Sequence, residues 1–278
     1  MKKLIYTFAA VILVTFAACD KNDKNISEAV NEQAAFENLL ADIDALNSTF
    51  QFDLTPVNST DDVMSAKARL GKGWKIAIAD ALGAAIGGGL SGGAGAIVGA
   101  ITASIGMAAD DGYSVSYPNG STPTFGFLDN LTGELHNTII AEILDDYPTL
   151  LEGNFTEHQL MSIICNKAAE HNITFSPENL SSIYDERAKA FISTALAGEN
   201  FSESMDEAAA IYPEFQNELR IIESYSSNVK NIIATETLLD YTNRVATIVS
   251  ESNIPAKSQE QITSFVAVYA NSHELWSE

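Results

Sequence analysis

The 278-residue chain is poor in cysteine, proline and tryptophan, with 2, 7 and 2 of each, and holds only 15 Lys and Arg against 37 Asp and Glu. Two cysteines rule out a framework of several disulfides. A formal charge of −22 repels phosphate backbones, and no basic stripe interleaved with aromatics offsets it, so nucleic acid is not an expected partner. Catalytic signatures are also missing. His136, His158, His171 and His273 are scattered, and no His-Glu-x-x-His, Cys-x-x-Cys or calcium-loop pattern occurs. These histidines are expected to be solvated or to cap helices. Glu157-His158 and Glu170-His171 are too far apart to set two ligands on one helix face. The pairs Asp42/Asp44, Asp145/Asp146 and Glu134/Glu142 arise by chance in so acidic a chain. Gly133-Glu134-Leu135-His136-Asn137, the least generic polar run, reads as structural, at a helix start or facing the glycine-rich segment described below. No metal and no cofactor is expected, since the glycine run lacks the Lys-Ser/Thr ending of a phosphate loop and no strand precedes it. The chain reads as a non-enzyme.

What is present begins at the N-terminus. Lys2 and Lys3 precede an apolar run from Leu4 to Phe16, which closes on Ala17, Ala18 and Cys19. That order reads as a secretory signal peptide. The segment Phe16-Ala17-Ala18-Cys19 resembles the lipobox of bacterial lipoproteins, with Phe16 where an aliphatic residue is commoner. The resemblance implies that residues 1–18 are removed and that Cys19 is lipidated. Residues 19–27 then form a polar tether, Cys19-Asp20-Lys21-Asn22-Asp23-Lys24-Asn25 onward. Lysine mixed with acids at this place is similar to the export tag of surface lipoproteins, whereas Asp directly after the cysteine is a retention signal for the inner membrane in other bacteria. The outer membrane or cell surface is the favoured address. Loss of Lys2 and Lys3, with no acid lost, takes the formal charge from −22 to −24. Only Cys165 then remains free, in an apolar helical stretch where a buried structural thiol is expected.

The strongest pattern lies between Ala81 and Ala109, a stretch without a charged residue. Small residues recur every fourth position at Gly83, Gly87, Ser91, Gly95, Gly99 and Ala103, and one step on at Ala84, Gly88, Gly92, Ala96, Ala100 and Ser104. On a helix each row lies along one face, so a second backbone can approach closely. This is a glycine zipper. Its nine glycines between Gly83 and Gly106 cost roughly 7–9 kcal/mol of helix propensity relative to alanine, which an isolated helix in water would not survive. The segment therefore packs on protein, on a copy of itself, or in lipid. As one helix it would be about 43 Å long, enough to span a bilayer. With a bend at 87–89 or 92–93, each arm has about 13–16 residues, too short to span a bilayer core that takes about 20.

Lys67, Arg69, Lys72, Trp74 and Lys75 precede the uncharged run, and Asp110-Asp111 close it. A basic cluster with tryptophan beside an apolar segment forms a candidate interface anchor. The alternative is that these lysines solvate an exposed helix face. Together with the small-residue rows, Gly71-Lys72-Gly73-Trp74-Lys75 resembles the glycine-zipper segments of membrane-active bacteriocins and of other bacterial glycine-zipper proteins. The likeness spans about 67–109 and implies a membrane-inserting segment.

The remainder is helical by pattern. A helix is expected over about 27–46, and another capped by Asp61-Asp62. A loop or short hairpin is expected over 112–130, where Tyr113 to Tyr117 alternate before Pro118-Asn119-Gly120. Further helices are expected at 131–147, 157–171, 177–197, 204–226 with a break at Tyr212-Pro213, 230–252 and 258–275. Capping boxes are read at Thr156/Gln159, Ser204/Glu207 and Ser258/Gln261, and a cap with first-turn proline at Ser176-Pro177. The expected fold is an all-α bundle or array with a central Gly-rich helix or helical hairpin. The N-terminal helices span 28–111, and a C-terminal helical domain spans 131–278. Its expected role is binding or structure at a membrane, through the N-terminal lipid, with a protein partner or self-association left open. The alternative is a bacteriocin-like protein inserting residues 67–109. What covers Gly83 to Ala103 separates the two.

Overall fold

The computed structural model describes residues 30–50, 60–110, 131–198, 200–229, 232 and 235–276. The signal segment, Cys19, the tether and the loop expected at 112–130 lie outside them. Among the described residues the fold is all-α, with ten α-helices and no strand: α1 over 30–49, α2 (Thr60–Asp110), α3 (Leu131–Asp146), α4 (Glu157–Glu170), α5 (Pro177–Ile183), α6 (Glu186–Ala197), α7 (Phe201–Ala209), α8 (Gln216–Val229), α9 (Thr235–Glu251) and α10 (Ala256–Trp276). Short 3-10 turns at Leu150–Glu152 and Pro213–Phe215 join neighbours.

Local signals explain most boundaries. Thr156 closes a capping box: its hydroxyl accepts from the Gln159 amide at 3.3 Å, and the Gln159 side chain accepts from the Thr156 amide at 2.8 Å. Ser176 caps α5 by accepting from the Asn179 amide, with Pro177 following. Three expected boundaries are corrected. The single helix expected at 177–197 is two, because the Asp185 carboxylate accepts from the Ala188 amide at 2.9 Å and starts α6. Asn200, not Ser204, caps α7; Ser204 lies within the helix and accepts from the Gly198 amide. Ser258 is not a cap either, since α10 begins at Ala256 and the buried Ser258 hydroxyl donates to Glu218 at 2.5 Å. In both cases a partner outside the capping pattern engages the hydroxyl that the pattern assigns to a helix end.

α2 is a hairpin. Gly92 adopts φ 69° and ψ −164°, a conformation from which side chains are essentially excluded, and the chain reverses there. The four-residue row folds onto itself about Ser91, with Gly83 meeting Gly99 and Ala103, and Gly87 meeting Gly95. A Cβ on Gly83 would lie 2.5 Å from the Gly99 carbonyl oxygen, and one on Gly87 only 2.0 Å from that of Gly95. The arms touch backbone to backbone, which no larger residue permits.

The second row has a different neighbour. Ala84, Ala96 and Ala100 form a buried cluster with Val268 of α10, and Gly88 faces Ser264 and Gln261 of the same helix. Gln261 lies near the hairpin tip and Ser272 near its base, so α10 runs antiparallel to the first arm in the groove between both arms. The outer faces of the arms seed separate halves of the core. Ala77, Ile78, Leu82, Ala85 and Ile86 belong to a cluster that takes in α1 and α6 to α10. Ile97, Val98, Ile101, Ile105 and Ala108 join Ile139, Ile140 and Ile143 of α3 and Leu160, Met161 and Ile164 of α4. Burial of these side chains, at about 25 cal/mol per Å² of apolar surface, offsets the glycine penalty. Between Ile76 and Ile105 the arms reach solvent at the tip, Leu90 to Ala94, with Leu90 49% exposed.

Candidate functional site

At the base of the hairpin a set of polar side chains converges inside the core. The first arm brings Asp80, the second Ser104, α3 brings His136 and Asn137, and α10 brings Asn271, Ser272 and Trp276; all are buried. The close approach of α3 to α10 depends on Gly133, where a Cβ would stand 2.6 Å from the Ala267 carbonyl oxygen. Asp80 Oδ2 accepts from the Trp276 indole N–H at 2.9 Å and from the Ser272 hydroxyl. His136 Nε2 lies 3.5 Å from the same oxygen.

The hydrogen bonds fix the imidazole tautomer. Asn137 Nδ2 donates to the Asn271 carbonyl at 2.9 Å, so its Oδ1 faces His136 Nδ1, also at 2.9 Å, as an acceptor. His136 Nδ1 therefore carries the hydrogen, and Nε2 presents a lone pair toward Asp80. Among the described residues neither His136 Nε2 nor Asp80 Oδ1 finds a hydrogen-bond partner. Burial dominates the protonation of both groups. It pushes the Asp80 carboxyl up to about 8 against the opposing effect of Ser272, Trp276 and Ser104, and pulls His136 down to about 4. Burial thus favours the uncharged form of both groups.

Sequence reasoning read His136-Asn137 as structural, at a helix start or facing the glycine segment; they lie in the second turn of α3, where His136 stands beside Asp80 and Asn137 bonds α10, and Asp80, Ser104, Ser272 and Trp276 were missed. The available signal was Asp80 itself, the only charged residue between Lys75 and Asp110. The expectation of solvated or capping histidines is corrected for His136 and His273, which are 0% and 5% exposed. His273 packs beside Tyr269, and burial draws it down to about 4. His171 is partly exposed and pairs with Glu142 at 2.9 Å. His158 lines an open groove with Glu157, Met161, Pro177, Glu178 and Ser181. Cys165 is buried, and burial raises its thiol to about 11.

The residues named as an interface anchor divide. Lys67, Arg69 and Lys72 lie on the first arm's N-terminal extension, their side chains outside the description. Lys75 is exposed, whereas Trp74 is partly buried and packs edge-on to Phe201, ring centres 5.5 Å apart. Among the described residues one helical segment, Gly73–Asp110, is long and apolar enough to cross a membrane, and most of it is buried in the bundle. With the break at Gly92, each arm is about 27 Å long.

Among the described residues no cluster of three or more His, Cys, Asp or Glu is arranged to hold a metal ion. Comparison with protein-family models, with curated proteins and with solved structures gave no match.

Proposed function

We propose that the protein is a lipid-anchored component of a bacterial cell envelope, at the outer membrane or cell surface, whose helical domain acts by binding or as a structural element and not by catalysis. One observation carries the non-catalytic part: the polar side chains that converge, Asp80, His136, Asn137, Ser272 and Trp276, are sealed from solvent and directed at one another. A substrate would have to part the hairpin from α3 and α10 to reach them. The anchor rests on the apolar N-terminal run and on Cys19. Metabolic labelling with a fatty-acid analogue tests it: labelled, processed protein is expected in the membrane fraction, and none from Cys19→Ala. Label retained by Cys19→Ala overturns the anchor, and a substrate turnover abolished by Asp80→Asn overturns the non-catalytic reading.

A second reading, insertion of the hairpin into lipid, is favoured by the single ionisable group between Ile76 and Ala109, Asp80, which burial holds neutral. Arms of about 27 Å fall short of a hydrocarbon core of about 30 Å, so the insertion would be shallow or would thin the bilayer. Dye release from anionic vesicles that is abolished by Gly87→Leu supports this reading. Absence of release from the wild type removes it.

A further inference from the structure

We infer that Asp80 and His136 hold one proton between them, carried on the Asp80 carboxyl and directed at His136 Nε2, and that this uncharged acid–imidazole pair pins the base of the hairpin to α3 and α10. The geometry supplies three constraints. Asn137 occupies His136 Nδ1, leaving only Nε2 to face the carboxyl. Trp276 and Ser272 both donate to Asp80 Oδ2, so neither hydrogen is free to bridge to His136 Nε2. The contact of 3.5 Å between Asp80 Oδ2 and His136 Nε2 brings two lone-pair atoms together unless a proton stands between them. In a site with no solvent contact, the neutral arrangement avoids the desolvation that a separated carboxylate and imidazolium would carry.

Among the described residues few other titratable groups face the pair. The second arm offers only Ser104, and α3 offers nothing ionisable beyond His136 in the buried site. Tyr184, at the end of α5, is coupled electrostatically to Asp80 as well as to Lys189, Asp110 and Glu157; Lys189 of α6 and Glu157 of α4 are paired with each other at 2.8 Å. His273 is the remaining buried base on α10.

The sign of the pH dependence follows. Asp80 binds its proton more tightly folded than unfolded, so its contribution is fully present below about pH 4 and is lost as pH rises to about 8. His136 binds more weakly when folded, so its contribution is lost as pH falls from about 6.5 to about 4. The two cancel between about pH 4 and 6.5, and from 6.5 to 8 only the Asp80 loss remains. Asp80→Asn is the decisive variant, because its amide oxygen keeps the acceptor for Trp276 and Ser272 while the titrating proton is removed.

Thermal melts of the protein lacking residues 1–18 and its lipid, wild type and Asp80→Asn, from pH 4 to 9, form the first test. The wild-type Tm relative to the variant is expected to fall as pH rises to 8, by roughly 3–5 °C per pH unit. Long-range proton–nitrogen NMR of His136 is the second test, with a neutral, Nδ1-protonated ring expected throughout pH 5–9. A Tm difference that is flat or rises with pH, an Asp80→Asn protein that fails to fold, or an imidazolium at His136 near pH 7 each overturns the inference.

Discussion

Neighbouring glycines in the hairpin should respond to the same substitution in opposite directions. Gly87 belongs to the row in which the arms touch. An alanine Cβ there would sit 2.0 Å from the Gly95 carbonyl oxygen, 2.6 Å from its carbon and 3.1 Å from the Ala96 nitrogen. All three are backbone atoms, so no rotamer relieves the clash and the arms must separate by more than an ångström, which also loosens Gly83 against Gly99. Overpacking of this kind costs about 1–3 kcal/mol, and a displaced backbone places Gly87→Ala at the upper end, even after alanine returns about 1 kcal/mol of helix propensity. Gly88 belongs to the row facing α10, where a Cβ would meet Ala96 Cβ at 3.5 Å and Ser264 Oγ at 3.8 Å, both ordinary contacts. Gly88→Ala should therefore keep its propensity gain of about 1 kcal/mol. At about 2–4 °C per kcal/mol for a domain approaching this size, Gly87→Ala should lower Tm by several degrees and Gly88→Ala should leave it unchanged or raise it. Melting followed by circular dichroism at 222 nm on the purified, unlipidated protein, without membranes, is the assay. Equal effects at the two positions, or a stabilising Gly87→Ala, would refute the assignment of the two rows to different partners.

Three further outcomes follow from the same geometry. His273, nearly buried and drawn down to about 4, should take up a proton on unfolding; stability then falls between about pH 6.5 and 4 by up to about 3 kcal/mol, and a melting series with His273→Gln should show a shallower acid limb. Cys165, buried and raised to about 11, should resist iodoacetamide at pH 8 in the native protein and react once urea unfolds it, as mass spectrometry would record. Gly92→Ala at the solvent-facing turn should cost about 1–2 kcal/mol through backbone strain alone, visible as a lower urea midpoint with an unchanged m-value.

Helix content and the hairpin's close contacts were legible in the sequence because both depend on local spacing. The period of four in small residues marks a face for backbone contact, and the caps at Thr156 and Ser176 are local hydrogen bonds. What the period could not say is whether Gly83 meets a partner or Gly99, since a self-complementary row looks the same either way; the φ of Gly92 decides it. Ser204 and Ser258 misled for a related reason, since their hydroxyls serve Gly198 and Glu218, contacts that a local pattern does not contain. The polar centre was half visible. His136 and Asn137 stood out as a pair, but Asp80, Ser272 and Trp276 are brought together only by α10 folding back along the hairpin from far along the chain.

The central claim is that residues 73–110 form a self-packed hairpin held inside the helical bundle. A spin-label distance between Lys75→Cys and Asp110→Cys, with Cys165→Ser and without residues 1–19, tests it most directly, because both positions are exposed and lie at the open end of the two arms. Arms packed at an interaxial spacing of about 8–10 Å should give a distance of roughly 10–20 Å in solution. A single straight helix would separate the same positions by about 52 Å, and a distance near that value would contradict the account.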